Sequence, residues 1–193
     1  MPDEDFTELV SDRLVLRRFR RSDLAGLIRY RSDPQVARFQ GWDAPYPPAA
    51  AERLIGVMLA RHPDTPGEWF QFAVELRSAK GIIGDCGVLT DGGEPRQAEI
   101  GFTIAAGHQG RGYATEAVRT LLGYQFGSLA KHRVTADCDA RNLASARVLE
   151  KAGMRREGHL RESTWANGEW TDDLLFAILD REWAALAGSA AAS

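Results

Sequence analysis

The stretch Ala98-Glu99-Ile100-Gly101-Phe102-Thr103-Ile104, followed after four residues by Gln109-Gly110-Arg111-Gly112-Tyr113-Ala114, decides the fold of this chain. In the first segment apolar residues alternate with Glu99, Gly101 and Thr103, the two-residue period of a half-buried strand. After Ala114 the apolar residues are three and four apart, which predicts one face of a helix. They are Val118, Leu121, Leu122, Phe126 and Leu129. The sequence therefore predicts a strand, a glycine loop and a helix.

The glycine loop is suited to binding a phosphate. The first turn of a helix leaves backbone N–H groups without intrahelical partners, and the helix dipole attracts anions there. Gly110 and Gly112 have no side chain that would block close approach. Thr115 stands where the dinucleotide fingerprint needs its third glycine, and no Gly-Lys-Ser or Gly-Lys-Thr indicates a P-loop. For the loop alone, an ordinary glycine-rich turn is the alternative.

Three motifs, taken together, point to one family. Gln109-x-x-Gly112-x-Ala114 resembles the Q/R-x-x-G-x-G/A signature of the acyl-CoA-dependent N-acetyltransferases of the GNAT superfamily. Residues 142–154 resemble its second motif, N-x-x-S-x-x-x-x-E-K-x-G-F/M, in the RimJ/RimL version. Residues 12–17, Asp-Arg-Leu-Val-Leu-Arg, resemble the start of that branch. In this order the motifs cover roughly residues 10–180, and the chain is identified as a member of the superfamily.

The resemblance implies a fold and a cosubstrate, acetyl-CoA. The fold is α/β (α+β): a mixed, mostly antiparallel sheet of about seven strands, splayed between the fourth and fifth strands, with helices on both faces. The pyrophosphate would bind at the glycine loop, and the pantetheine arm would bind along residues 102–104 like a short added strand. The implied cofactor-binding residues are Phe102, Thr103, Ile104, Gln109, Gly110, Arg111, Gly112, Tyr113, Ala114, Thr115, Asn142 and Ser145. Arg111, Arg147 and Lys151 either touch the phosphates or cover a helix face.

The rest of the chain predicts alternating elements without a long linker. The other strands are expected at 14–19, 69–76, 81–89 and 134–138, followed by a hairpin of two strands turning at Asn167-Gly168. Helices are expected before Pro34, over 49–61, and from an N-cap at Asn142 to Gly153. We predict a single N-acetyltransferase domain over residues 1–187. Residues 188–193, nearly all Ala and Ser, are predicted to be disordered.

Acetyl transfer needs a proton acceptor for the amine and a proton donor for the thiolate. Glu99, near the implied cleft, is the candidate base, acting directly or through water; a solvated or salt-bridged strand glutamate is the alternative. The superfamily commonly carries a tyrosine acid at the position of Leu149. In the RimJ/RimL branch a serine is found instead, so Ser145 or a water that it holds is the candidate donor. Alternatively, Ser145 only satisfies helix N-terminal amides.

The acceptor side rests on two loops. Phe39, Trp42 and Tyr46 lie in the loop that covers the acceptor in this family, and Trp165, Trp170 and Asp172 lie in the terminal hairpin. We predict that these six residues bind the acceptor. The aromatic residues could instead be packing anchors, and the acidic loop residues could simply be solvated.

Composition restricts the function further. The chain has 193 residues and a formal net charge of −3, which gives no global attraction to nucleic acid or to an anionic membrane. No apolar stretch approaches a membrane span, and the acidic N-terminus does not resemble a signal peptide, so we expect a cytoplasmic protein. The two cysteines and four histidines show no metal-ligand spacing, and we expect no metal. A homodimer is expected from the family.

The leading hypothesis is an N-acetyltransferase that moves acetyl from acetyl-CoA to a primary amine by direct attack. The acceptor is a protein N-terminal α-amine, as the RimJ/RimL resemblance implies, or a small amine such as an aminoglycoside or polyamine. The alternative, suggested by Leu149, is a noncatalytic CoA-binding or interaction module with the same fold. A longer acyl-CoA donor is also compatible with the sequence.

Overall fold

One sheet of eight strands forms the centre of the protein. The structure, a computed structural model, describes residue 6, residues 8–166 and residues 168–191. The strands are β1 Glu8–Val10, β2 Leu14–Arg17, β3 Trp69–Leu76, β4 Ile82–Thr90, β5 Gln97–Ile104, β6 Arg133–Asp139, β7 Arg155–Ala166 and β8 Glu169–Leu179. Their order is β1-β2-β3-β4-β5-β6-β8-β7. Within the described residues, every neighbouring pair is antiparallel except β5 with β6, which confirms the predicted fold class.

In the part of the chain that the structure describes, six α-helices accompany the sheet: α1 Leu24–Arg31, α2 Pro34–Ala37, α3 Pro48–Ala60, α4 Tyr113–Gly123, α5 Leu143–Ala152 and α6 Asp180–Ala191. All residues of β4 except Leu89 are buried, so protein covers both faces of the sheet centre. Both α1 and α4 pack against β4. From α4, Ala117, Val118, Leu121 and Leu122 are buried. Complete burial of a leucine contributes roughly 1.5–3 kcal/mol, so this face holds α4 firmly on the sheet.

The parallel strands β5 and β6 separate along their length. They pair only at their first residues, from Gln97 opposite Arg133 to Glu99 opposite Thr135. Beyond this point β5 continues to Ile104 and β6 to Asp139. A Cβ atom added at Gly101 would meet no heavy atom within 4 Å outside its own neighbourhood. The predicted splay is therefore present and leaves an open cleft.

The two ends of the chain differ from the sequence expectation. The expected seven strands become eight because β1 pairs with β2; its three residues are too few to show a hydrophobic period. Helix α6 extends to Ala191, so residues 188–191 are helical where composition predicted disorder. Alanine has the highest helix propensity, which favours continuation once tertiary contacts have started the helix. Residues 192 and 193 lie outside the described residues.

The predicted terminal hairpin is confirmed. β7 pairs with β8, and Trp165 lies opposite Trp170. Gly168, in the turn, has a φ of +83°, in the left-handed region that favours glycine. Asn167, the other predicted turn residue, lies outside the described residues.

Candidate active site

The glycine loop connects β5 to α4 as predicted. Gly110 and Gly112 have φ angles of +73° and +80°, which glycine adopts without strain. The side-chain amide of Gln109 donates a 2.8 Å hydrogen bond to the carbonyl of Ile104, which closes the loop onto the end of β5. The first intrahelical bond of α4 runs from the Glu116 N–H to the Gly112 carbonyl, at 3.1 Å. The preceding amides at the start of α4 remain available to an anion.

A cavity of about 420 Å³ lies beside this loop, between α4, α5 and the end of β5. We call it the α4 cavity. Eleven of the twelve predicted cofactor-binding residues line it: Phe102, Thr103, Ile104, Gln109, Gly110, Gly112, Tyr113, Ala114, Thr115, Asn142 and Ser145. Arg111 does not, and it contributes its backbone carbonyl to an interaction outside the cavity. Arg147 and Lys151, four residues apart on α5, do line the cavity and bring two cations to it.

Arg13 fastens the glycine loop to the N-terminal part of the sheet. Its Nη1 donates a 3.0 Å hydrogen bond to the Arg111 carbonyl, and its Nε donates a 2.6 Å bond to Glu116 Oε2. Its guanidinium carbon lies 4.7 Å from the centre of the Tyr113 ring. Partial burial alone would raise the pKa of Glu116, but hydrogen bonds from Ser11 and Arg13 lower it. The motif at residues 12–17 thus supports the loop.

A second cavity, of about 570 Å³, lies along the second half of β5 and the end of β6. We call it the hairpin cavity, because Thr164, Trp165 and Thr171 of the terminal hairpin form one wall. The residues that follow α2 form a second wall, and residues at the end of β6 also line the cavity. Five residues line both cavities: Phe39, Gln40, Phe102, Asn142 and Ser145. The two cavities therefore meet where β5 and β6 have separated.

Three of the six predicted acceptor residues line the hairpin cavity: Phe39, Trp42 and Trp165. Trp170 and Asp172 do not, whereas Thr171 and Asp173 do. Thr171 and Asp173 alternate with Trp170 and Asp172 along β8, so their side chains point to the other face of that strand. Asp172 instead accepts hydrogen bonds from His159 Nε2 at 2.7 Å and from the Glu162 N–H at 2.9 Å. Trp170 packs edge-to-face on Trp165, with the ring centres 5.4 Å apart.

Tyr46 is the third predicted acceptor residue that does not line the hairpin cavity. It lines neither cavity and is buried as a packing anchor. Its hydroxyl lies 3.2 Å from Nη1 of Arg31, which is itself buried. Arg31 also forms a 2.8 Å ion pair with Asp85 and stacks on Trp42, whose ring centre is 4.1 Å away. Trp42 donates a hydrogen bond from Nε1 to the Arg31 carbonyl at 3.1 Å. This charged core holds the loop that forms one wall of the hairpin cavity.

Glu99 is half-buried at the point where β5 and β6 separate, and it lines neither cavity. Its carboxyl group interacts with that of Asp137, which does line the hairpin cavity. Burial raises the pKa of Glu99, and the interaction with Asp137 raises it further. The sequence analysis missed Asp137. Its only signal was its place in the alternation of β6, two residues after Thr135.

Ser145 lies at the start of α5, where both cavities meet. Asn142 is the N-cap, as predicted: its Oδ1 accepts a 3.1 Å hydrogen bond from the Ser145 N–H. Among the described residues the Ser145 hydroxyl has no hydrogen-bond partner, so capping does not occupy it. Leu149 is completely buried in the core and contributes nothing to either cavity.

Cys138 lines the hairpin cavity, but its thiol is not activated. Burial raises its pKa to about 11, and the negative charges of Asp137, Asp139 and Asp173 act in the same direction. Within residues 6, 8–166 and 168–191, no three metal-binding side chains are grouped so that they could hold an ion. In the same part of the chain, no helix combines the length and apolar character needed to cross a bilayer.

Comparison with known families decides the assignment. The family profile of the acetyltransferase (GNAT) domain matches residues 13–155. The chain belongs to the GNAT acetyltransferase family. It is an acyl-CoA-dependent N-acetyltransferase, and the family uses acetyl-CoA.

Individual relatives agree over most of their length. The uncharacterized N-acetyltransferase p20 of Bacillus licheniformis is 31% identical over 176 residues, 91% of this chain and 98% of p20. The ribosomal N-acetyltransferase-like protein YdaF of Bacillus subtilis is 31% identical over 164 residues, covering 70% of this chain and 89% of YdaF. The crystal structure of spermidine N-acetyltransferase from Vibrio cholerae, in complex with CoA and spermine, has a TM-score of 0.76 at 25% identity. That similarity covers 90% of this chain and 99% of that one.

Proposed function

We propose that this GNAT protein transfers acetyl from acetyl-CoA to a primary amine by direct attack of the amine on the thioester. The meeting of the two cavities between the splayed strands carries this proposal. A thioester reaching the junction from the α4 cavity would meet an amine arriving from the hairpin cavity. Phe102, Asn142 and Ser145 contact both sides of that junction.

The α4 cavity fits acetyl-CoA. Gly110 has open space around it, since an added Cβ would meet no heavy atom within 4 Å, and a pyrophosphate can approach there. Arg147 and Lys151 add positive charge for phosphate groups. The edge of β5 over residues 102–104, which β6 has left unpaired, offers backbone hydrogen-bonding groups to the pantetheine arm. The coenzyme then lies with its thioester between the strands.

The chemistry requires two proton transfers. A carboxyl group where β5 and β6 separate would accept the proton of the incoming ammonium; the residue predicted from the sequence is Glu99, acting directly or through water. Ser145, or a water that it holds, would protonate the departing thiolate. A thiol with a reference pKa of about 8.5 leaves readily near neutral pH, so a weak donor suffices. A backbone N–H at the end of β5 would hold the developing oxyanion.

Two acceptor classes are compatible with the hairpin cavity: a protein N-terminal α-amine and a small amine such as a polyamine or aminoglycoside. YdaF supports the first class and the Vibrio cholerae spermidine enzyme the second. Asp43, Asp137 and Asp173 line the cavity and favour a cationic amine, while Phe39 and Trp165 provide apolar walls for its body. A cytoplasmic location and a homodimer stay predictions from the sequence.

The test is release of the CoA thiol from acetyl-CoA in the presence of N-terminal peptides, spermidine, spermine and kanamycin. Gly112→Trp places a large side chain at a φ of +80°, 3.4 Å from Arg13 Nη2, and is expected to abolish acetyl-CoA binding and turnover. Gly56→Trp, on the exposed face of α3 with no heavy atom within 4 Å of an added Cβ, is the matched control and should retain both. Acetyl-CoA binding without turnover on any amine would contradict the proposal.

A further inference from the structure

Two carboxyl groups, those of Glu99 and Asp137, lie where β5 and β6 separate. Glu99 is the last residue of β5 that pairs with β6, opposite Thr135. Asp137 lies two residues further along β6, on the same face as Thr135 because side chains alternate along a strand. Asp137 lines the hairpin cavity, whereas Glu99 lines neither cavity and is connected to the hairpin cavity only by its interaction with Asp137.

From this arrangement we infer that Asp137 is the catalytic residue that takes the proton from the acceptor ammonium, and that Glu99 is its positioning partner, which shares that proton. The inference rests on the proposed function, because it requires an amine to arrive from the hairpin cavity. It changes the assignment of the base, since the acceptor would contact Asp137 and not Glu99. It also explains why a half-buried glutamate faces a second carboxyl group rather than a cation.

The surroundings of Asp137 favour a base stronger than an ordinary carboxylate. The protein packed around it raises the pKa of Asp137, and the charge of Asp173 on β8 raises it further, although the hydrogen bond from Glu99 acts in the opposite direction. Asp173 is fixed by hydrogen bonds from Ser163 Oγ at 2.7 Å and Thr164 Oγ1 at 2.6 Å. The other ionisable groups lining this cavity are Arg38, Asp43, Cys138, Asp139 and Arg141, and the last two form an ion pair of 2.7 Å.

The proton count closes with this assignment. An ammonium acceptor gives one proton to the Asp137 carboxylate, and the freed lone pair of the nitrogen attacks the thioester carbonyl carbon. When the C–S bond breaks, Ser145 or its water gives a proton to the departing thiolate and takes the second proton of the nitrogen in return. The products are the amide, the CoA thiol and one proton, which the carboxyl pair releases to solvent. Release of that proton returns the carboxyl pair to its starting state without a further reactant.

The experiment compares the pH dependence of kcat/KM in the wild type, Asp137→Asn, Glu99→Gln and the control Glu157→Gln, with spermidine and a serine-initiated peptide as acceptors. Glu157 is an exposed carboxylate paired with Arg133 and lies outside both cavities. In the wild type, kcat/KM should rise with pH, because the base acts only when deprotonated. The apparent pKa of this rise should lie above that of an ordinary carboxyl group. Acetyl-CoA affinity, measured by calorimetry, should be the same in all four proteins.

Asp137→Asn should lower kcat/KM by about 100-fold or more and remove the rising limb. Glu99→Gln should retain more activity and move the limb to higher pH, because a side-chain amide is a weaker hydrogen-bond donor than a carboxyl group and lowers the pKa of Asp137 less. Glu157→Gln should leave the profile unchanged. Turnover in Asp137→Asn with the wild-type profile would overturn this inference and leave the proposed function intact. Absence of turnover in the wild type would overturn both.

Discussion

Asp85→Ala tests the charged core that holds the acceptor-side loop. Asp85 is 3% exposed, accepts a hydrogen bond from the Tyr30 hydroxyl, and forms the 2.8 Å ion pair with Arg31, which is 4% exposed. Removing the carboxylate leaves the buried guanidinium without a counter-charge, which typically costs about 3–5 kcal/mol. The remaining contacts of Arg31 with Trp42 and Tyr46 keep the expected loss of unfolding free energy within that range, at about 4 kcal/mol.

The loss should be measured by urea and thermal denaturation. For a chain of this length, 1 kcal/mol shifts the thermal midpoint by about 2–4 °C, so a decrease of about 8–16 °C is expected for Asp85→Ala. Tyr30→Phe keeps the ion pair and removes one hydrogen bond, so it should cost only about 1–2 kcal/mol.

The control is the exposed ion pair between Glu94 and Arg96, in which Glu94→Gln should leave the midpoint unchanged. If Asp85→Ala is no more destabilising than Tyr30→Phe, the ion pair does not stabilise this core and the reasoning is refuted.

Three further predictions concern the cavities. Arg13→Ala should weaken acetyl-CoA binding about tenfold in calorimetry with little change in kcat, because it releases the glycine loop and leaves the junction of the two cavities intact. An unchanged affinity would show that Arg13 does not support the loop. Ser145→Ala should lower kcat more than it raises the KM for acetyl-CoA in steady-state assays; an equal kcat would leave Ser145 with a structural role. Alkylation of Cys138 by iodoacetamide should be slow at pH 7.5 and accelerate about tenfold per pH unit up to the Cys138 pKa of about 11. A fast, pH-independent reaction would show that the thiol is activated.

Local sequence signals predicted the elements that form the α4 cavity. The strand, the two glycines in the left-handed region and α4 follow from residues close to one another in the chain. The same holds for the Asn142 N-cap and for Gly153, the C-cap of α5 with a φ of +101°. These features depend on backbone dihedral preferences and short-range hydrogen bonds, which a single sequence displays directly.

On the acceptor side, local sequence signals do not determine which side chains line the hairpin cavity. Trp170 and Asp172 were assigned to the cavity because the hairpin was recognised, but the face of β8 that meets the cavity is set by its register with β6 and β7. For Tyr46 the sequence left an acceptor contact and a packing anchor open, and the structure buries it beside Arg31. An error of one residue in register moves a side chain to the opposite face.

The sequence by itself determined the family, the order of the elements and the glycine loop, since these rest on motifs and periods within about twenty consecutive residues. Tertiary structure decided the eighth strand, the junction of the two cavities and the pairing of Glu99 with Asp137. Those two carboxyl groups come from strands separated by a whole helix, and neither residue type predicts the other. They meet because β5 and β6 pair over three residues and then diverge, a geometry set by the packing of the entire sheet.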